Sequence, residues 1–276
     1  MADEGKVVLI TGASSGIGKA CADALAQRGY VVFAAARSLP EEQLGGGASA
    51  HGRHGIQMDV VDESSVGEGV DRVLLQAGRL DAVVNCAGFG IGGSIEDTSI
   101  DEAKAIFETN VFGTLRVCRA ALPIMREQRS GRIVNVSSLA GRIGLPFQGL
   151  YSATKFAIEG LTEALRMEVK AFDIHVSLIE PGDFCTGFTA NRRVVDDPVD
   201  GYRERLQDAL EAMECDETGG ASPDRVARLL YRILRAPSPR LRYTVGPLSQ
   251  RLSAIGKAFL PPSFFERGVM KHYRVL

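Results

Sequence analysis

Tyr151 and Lys155, four residues apart in Tyr151-Ser152-Ala153-Thr154-Lys155, can do proton chemistry as a pair. On a helix, i, i+4 spacing sets phenol and ammonium on one face. A phenol with a pKa of about 10 is a poor acid–base group at neutral pH. A cation beside it favours the phenolate and lowers that pKa. Tyr-x-x-x-Lys alone is weak evidence, because both residues are common on helix surfaces. Upstream, Arg132-Ile133-Val134-Asn135-Val136-Ser137-Ser138 puts Ser138 at the carboxyl end of a β-rich run. Open α/β sheets bind their ligands along that edge. Asn110, in Thr109-Asn110-Val111, falls within a long helical pattern before it.

A second group suits a phosphate. Thr11-Gly12-Ala13-Ser14-Ser15-Gly16-Ile17-Gly18 follows the first β-rich run and opens a helical pattern. Gly12 permits a sharp exit from the strand, Gly16 lets backbone approach a pyrophosphate, and Gly18 allows close helix–sheet packing. The N–H groups and positive dipole end of the helix then face the anion. The next strand ends Ala34-Ala35-Ala36-Arg37-Ser38. An NAD site usually carries an acid here to bond the ribose hydroxyls. Arg37 offers instead a planar cationic fork suited to the 2′-phosphate of NADP; the alternative is a solvated strand-end arginine.

These residues need a scaffold of alternating strands and helices. Strands are expected at Lys6–Gly12, Val31–Arg37, Gly55–Val60, Asp81–Gly88, Arg132–Ser138, Ile174–Glu180 and Arg242–Gly246. Helical patterns lie between them, near Gly16–Arg28, Glu63–Ala77, Ile100–Gln128, Tyr151–Ala171 and Pro223–Arg235. The central strands show little polar alternation, as when both faces are covered. Repeated β–α–β units with right-handed crossovers make an α/β fold, a single-domain doubly wound parallel sheet of Rossmann type flanked by helices, over residues 1–276. Two departures stand out. The glycines of residues 40–55 imply a short or absent helix. Residues 183–222 lack a strand signal and are expected above the sheet as a substrate lid, with Tyr202, Leu206, Leu210 and Met213 as a helical apolar stripe. A C-terminal tail occupies about residues 261–276.

Composition excludes several classes. Apolar residues make up 45% of the 276, enough for a large core, and the net charge is −2 with no Lys/Arg run, so a nucleic-acid footprint is not expected. Five scattered cysteines without CxxC spacing and four histidines without HExxH argue against a disulfide framework or a metal site. The N-terminus carries no signal-peptide pattern, and no apolar run is long enough to span a bilayer. A soluble, cytoplasmic protein is expected.

The glycine loop, Asn85-Cys86-Ala87-Gly88, Asn110, Ser138 and Tyr151/Lys155 occur in order and at suitable spacing. With that set in place the sequence resembles the short-chain dehydrogenase/reductase family, closely over about residues 5–190 and loosely beyond. The resemblance implies hydride transfer between a nicotinamide, here NADP(H), and a carbonyl or alcohol carbon. It makes Tyr151 the acid/base and has Lys155 bind the nicotinamide ribose and lower the tyrosine pKa. Ser138 would bond the substrate oxygen, and Asn110 would hold a water in a relay to Lys155. The implied cofactor set is Gly12, Ser14, Ser15, Gly16, Ile17, Gly18, Arg37, Ser38, Asp59, Val60, Asn85, Ala87 and Gly88, with Tyr151 and Lys155. Pro181, Gly182 and Thr186 complete it as a carboxamide clamp. Asp59 read alone is a strand-end turn residue. Cys86 departs from the family's usual second asparagine.

Gly144-Leu145-Pro146-Phe147-Gln148 and Lys155-Phe156-Ala157-Ile158-Glu159-Gly160-Leu161 look most like the hydroxysteroid and retinol dehydrogenase branch. That likeness implies a bulky apolar substrate, touched by Ser138, Leu145, Phe147, Tyr151, Phe184 and Phe188. Leu145, Pro146 and Phe147 could equally pack the loop. A 3-oxoacyl-thioester reductase is the alternative enzyme, although such enzymes tend to be shorter and lack the excursion and tail. A non-catalytic NADP-binding regulator is the alternative outside catalysis. The family commonly pairs through the tyrosine helix and the helix before it, which implies a homodimer or homotetramer. Ala157, Leu161, Leu165 and Phe172 are candidates for that face, or for core.

Overall fold

Alternating side chains of the β-rich runs decide the layering. Val7 and Leu9 join the buried cluster on one side of the sheet, while Val8 and Ile10 join the other, the two-residue period of extended chain. The computed structural model describes residues 4–40 and 52–276. In chain order its strands are β1 (Val7–Thr11), β2 (Val31–Ala36), β3 (Gly52–Gln57), β4 (Ala82–Asn85), β5 (Ile91–Gly92), β6 (Gly131–Val136), β7 (Ile174–Pro181), β8 (Arg193–Val194) and β9 (Arg242–Val245). Seven of them form a parallel sheet in the order β3-β2-β1-β4-β6-β7-β9. The order reverses between β1 and β4, where doubly wound sheets open their ligand crevice.

The helices are α1 (Gly16–Ala26), α2 (Glu63–Ala77), α3 (Ile100–Phe107), α4 (Thr114–Gln128), α5 (Gly149–Glu168), α6 (Asp200–Thr218), α7 (Asp224–Arg235), α8 (Leu248–Gly256) and α9 (Pro262–His272). Cys21 and Leu25 of α1, with Leu230 and Ile233 of α7, cover the face of Val8, Ile10 and Val32. Val66 and Val70 of α2, Val117 and Ala121 of α4 and Leu165 of α5 cover the face of Val7, Leu9 and Phe33. Each fully buried aliphatic or phenyl side chain stabilises the fold by about 1.5–3 kcal/mol. Local signals set the helix starts: Asp62 accepts from the Ser64 and Ser65 amides at α2, and Ser99 and Glu102 form a capping box at α3.

Three sequence expectations are corrected. β3 spans Gly52–Gln57 rather than Gly55–Val60, because Gly52, Arg53 and His54 pair in register with Val31, Val32 and Phe33 and backbone pairing overrides their polar side chains. The long helix Ile100–Gln128 is interrupted by a π-helical segment, Glu108–Gly113, a wider turn that recurs at functional sites. The excursion does contain strand: β8 pairs with β5 in a two-stranded parallel sheet. The tail, about residues 261–276, carries α9, and α8 precedes it. Leu165 lies in the core and Phe172, half-buried, packs against the same cluster, which is the core alternative of the sequence reading for these two. The expectation of a short or absent helix within 40–55 falls, for residues 41–51, outside the described residues.

Candidate active site

Loops at the carboxyl ends of β1, β2, β4 and β6 enclose a cavity of about 470 Å³. At one end lies the glycine loop. Gly12 has φ +65°, and a Cβ there would meet the Ala87 Cα and N at 2.8 Å. A Cβ on Gly18 would lie 2.3 Å from the Gly12 carbonyl oxygen, so only glycine closes the loop onto itself. Thr11 Oγ1 ties β1 to the end of β4 by accepting from the Cys86 and Ala87 amides at 3.1 and 3.2 Å. α1 starts with no side-chain cap bond and no acid in its first turn. Its first amides therefore have no partner within the helix, and Gly16, Ile17 and Gly18 line the cavity. Backbone donors, a glycine-lined concavity and Arg37 at the β2 end together fit a dinucleotide phosphate.

Most of the residues expected at the site line this one cavity. They are the loop residues Gly12 and Ser14–Gly18, then Arg37, Ser38, Asp59, Val60, Ala87 and Gly88. On the opposite side come Ser138, Leu145, Tyr151, Lys155, Pro181, Gly182, Phe184, Thr186 and Phe188. Asp59 also has the turn role read from sequence alone, accepting from the Val61 amide at 3.1 Å. Thr186 folds over the loop: a Cβ on Gly16 would come within 3.5 Å of it.

Ser138 sits at the end of β6, where its Oγ accepts from the Ala140 amide at 3.1 Å. Tyr151, on the first turn of α5, is 9% exposed, hydrogen-bonded with Ser138, and has its ring 5.5 Å from that of Phe188. Lys155, one turn on, donates to the Val136 carbonyl at 3.0 Å and lies 5.6 Å from the Tyr151 ring centre. Burial lowers the Lys155 pKa to about 8, against the opposing pull of Cys86 and Glu159. The expectation of a depressed tyrosine pKa is corrected. Burial pushes Tyr151 above the ordinary phenol range, the Ser138 bond opposes this, and Glu217 and Asp183 push it further up. Cys86 beside them has its thiol raised to about 11 by burial and stays protonated at neutral pH.

Three expected residues lie behind the cavity wall. Asn110, on the π-helical segment, uses its amide on Phe89 and Thr154: its Oδ1 accepts from the Phe89 amide at 3.0 Å, and its Nδ2 donates to the Phe89 carbonyl and Thr154 Oγ1. It thereby fixes the strand after Gly88 to the tyrosine helix. Asn85 donates to Asn135 Oδ1 at 2.8 Å beneath the sheet edge. Phe147 takes φ +57°, and its ring packs with Tyr202, Met213 and Val275 rather than lining the cavity. Phe184 does line the cavity but is also core, packed with Val134, Ile179 and Val226.

Several wall residues had no sequence signal of their own. Gln148, Asp183, Asp216, Glu217 and Tyr273 line the cavity together with Met213 of the expected stripe. Extending the α6 stripe by one turn from Met213 reaches Glu217, whereas Tyr273 arrives because the chain end after α9 packs against Ala209 and Met213 of α6. Glu217 is paired with Arg192 and Thr189, and Asp216 with His272 at 2.7 Å. Asp183 bonds Gln250 of α8.

Burial, reinforced by Asp216 and Glu217, raises the Asp183 pKa to about 6. Its charged form is therefore disfavoured in the folded chain. Between pH of about 4, the ordinary carboxyl value, and about 6, this group lowers stability as pH rises. Asp183→Asn removes that penalty, and the expected gain at pH 7.5 is on the order of 2–3 kcal/mol, or about 5 °C in Tm. Thermal melts at pH 7.5 and pH 4 check this: the gain should vanish at the lower pH. A lower Tm for the variant at pH 7.5 would mean that the Gln250 bond outweighs the buried charge.

A family model described as short chain dehydrogenase matches residues 6–196. The chain is 38% identical over 272 residues to the 3-ketodihydrosphingosine reductase of Bacteroides thetaiotaomicron, covering 98% of both sequences. It is 36% identical to retinol dehydrogenase 8 of Bos taurus, over 88% of this chain and 82% of that one. Among solved structures, a short-chain dehydrogenase from Streptomyces avermitilis has a TM-score of 0.78 at 33% identity, covering 96% of this chain and 98% of that one. An alcohol dehydrogenase from Thermococcus sibiricus complexed with 5-hydroxy-NADP has a TM-score of 0.70 at 25% identity, covering 89% and 97%.

Proposed function

The chain belongs to the short-chain dehydrogenase family and is an NAD(P)-dependent oxidoreductase; on that footing we propose that it reduces a ketone on a bulky, largely apolar substrate with NADPH. The observation that carries this reading is the single cavity with Arg37 at one end and the Tyr151–Ser138 pair at the other. No acid stands at the end of β2 to bond ribose hydroxyls, and Arg37 is exposed there to meet a 2′-phosphate. A reduced nicotinamide dinucleotide, held by the glycine loop, Arg37 and Lys155, supplies the hydride.

The protein's part is proton delivery and positioning. Ser138 donates a hydrogen bond to the substrate oxygen and polarises the carbonyl. Tyr151, its proton held firmly by burial, delivers that proton to the oxygen as charge develops there. Lys155 steadies the phenolate left behind. Phe188 and Leu145 receive the apolar body of the substrate. The excursion, about residues 183–222, acts as a lid, its α6 stripe closing the cavity with the tail and excluding water. The names of the relatives, a ketodihydrosphingosine reductase and a retinol dehydrogenase, agree with an apolar substrate.

NADPH oxidation across a carbonyl panel tests the substrate reading: long-chain and polycyclic ketones should outrun 3-oxoacyl thioesters. The cofactor reading is tested by Arg37→Ala. Loss of one charge-assisted bond, about 1.5–3 kcal/mol, should weaken NADPH binding roughly ten- to a hundredfold and leave NADH binding little changed. An equal loss for both cofactors would make Arg37 a structural residue.

A further inference from the structure

We propose that the C-terminal helix pair, α8 and α9, is a docking face for an anionic lipid bilayer. The inner sides of these helices are accounted for: Ala254, Phe265 and Val269 pack on Leu139 and Ile143. Their outer sides are not. Leu248 (66%), Leu252 (56%), Phe259 (83%), Leu260 (48%) and Phe264 (70%) are exposed within seventeen consecutive residues. Isolated exposed apolar residues are ordinary, whereas a run of leucines and phenylalanines along one short segment marks a contact surface.

Charge selects the occupant. Residues 248–276 hold five lysines and arginines and one glutamate, in a chain whose net charge is −2. Arg251, Arg267 and Lys271 are exposed on these helices, and among the described residues none of the three is in an ion pair. By helical geometry Arg267 and Lys271 share the outward side of α9 with Phe264, opposite Phe265 and Val269. Phenylalanine and leucine interleaved with arginine and lysine is the make-up of a segment lying in a bilayer interface. Among the described residues no helix is long and apolar enough to cross a membrane, so the segment lies on the surface rather than spanning it. A second copy of the chain is the weaker occupant. A two-fold contact through this face would set its unpaired cations against their own copies.

The face adjoins the cavity. Tyr273, directly after α9, lines the cavity wall, and Gln250 of α8 bonds Asp183. Docking here would bring the mouth of the site to the lipid, although the docking itself is measured by binding alone and stands independently of the substrate reading.

The test is flotation of the full chain with vesicles of phosphatidylcholine, with and without phosphatidylglycerol. Co-flotation is expected with the anionic vesicles and should weaken strongly on raising salt. The triple variant Arg251→Gln/Arg267→Gln/Lys271→Gln should lose about a hundredfold in partitioning, from the attraction of three basic residues to an anionic surface. Phe259→Ser/Phe264→Ser should lose at least about tenfold. These side chains face outward, so melting temperature and NADPH binding should be unchanged, which separates lost docking from misfolding. Absence of binding, or binding indifferent to lipid charge, would overturn the proposal. A drop in oligomer mass in the phenylalanine variant without any vesicle binding would assign the face to a second copy.

Discussion

Replacing Tyr151 with phenylalanine is expected to lower turnover of a good ketone substrate by at least about a hundredfold, the low end of general acid contributions. The exchange is a clean probe because of where the ring sits. It is buried beside Phe188 and above Lys155, and phenylalanine keeps that packing while removing only the oxygen. The oxygen's bond is with Ser138, and a serine hydroxyl at the cavity edge can turn to water. NADPH affinity and Tm should therefore hold within a few-fold and about 2 °C respectively, since one net hydrogen bond contributes only about 1 kcal/mol. The loss should appear in kcat rather than KM, because proton delivery matters in the transition state and not in binding. Near-normal turnover in the variant would remove Tyr151 from the chemistry. An equal fall in NADPH affinity would make it a packing residue.

How much of this was legible follows from how each residue reaches the cavity. The glycine loop, Ser138 and the Tyr151/Lys155 pair reach it by local means: a strand end, a helix start, one helical turn. Local spacing is written in sequence, and so was the parallel sheet, through uninterrupted apolar runs such as Val31–Ala36 and the residues Ala82, Val83 and Val84. For Phe147 the sequence left substrate contact and loop packing open, because its direction depends on a left-handed backbone conformation that no pattern announces. Glu217, Asp216 and Tyr273 were missed because they arrive from residues far along the chain, through the packing of α6 and the tail. β3 was read three residues late because its pairing with β2, not its own polar Arg53 and His54, decides where it begins. The π-helical segment leaves no periodic trace, yet it carries Asn110, whose amide bonds join the strand after Gly88 to α5. Local chemistry was readable, then, and the wall built by long-range packing was not.

The same contrast sets up an opposition between stability and activity at Lys155. The residue is 8% exposed, its ammonium is held by one carbonyl, that of Val136, and burial lowers its pKa to about 8. The ordinary lysine value is about 10.4, so below pH 8 the folded chain carries a buried cation at a penalty on the order of 3 kcal/mol. The sign follows from proton binding: between about pH 8 and 10.4 the unfolded chain holds more protons, so this group's contribution to stability improves as pH rises. Lys155→Met removes the charge, keeps an apolar stem and leaves the Val136 carbonyl without its donor, which returns about 1 kcal/mol of the gain. The variant should be more stable at pH 7 by about 2 kcal/mol, or roughly 4 °C in Tm. It should also be at least about a hundredfold slower, because the cation that steadies the Tyr151 phenolate is gone. In the unmodified enzyme, kcat/KM for reduction should fall as pH rises through about 8, where Lys155 loses its proton, and that limb should be missing from the residual activity of the variant. A lysine with a merely structural role would give the reverse pattern, with a lower Tm and an unchanged pH profile.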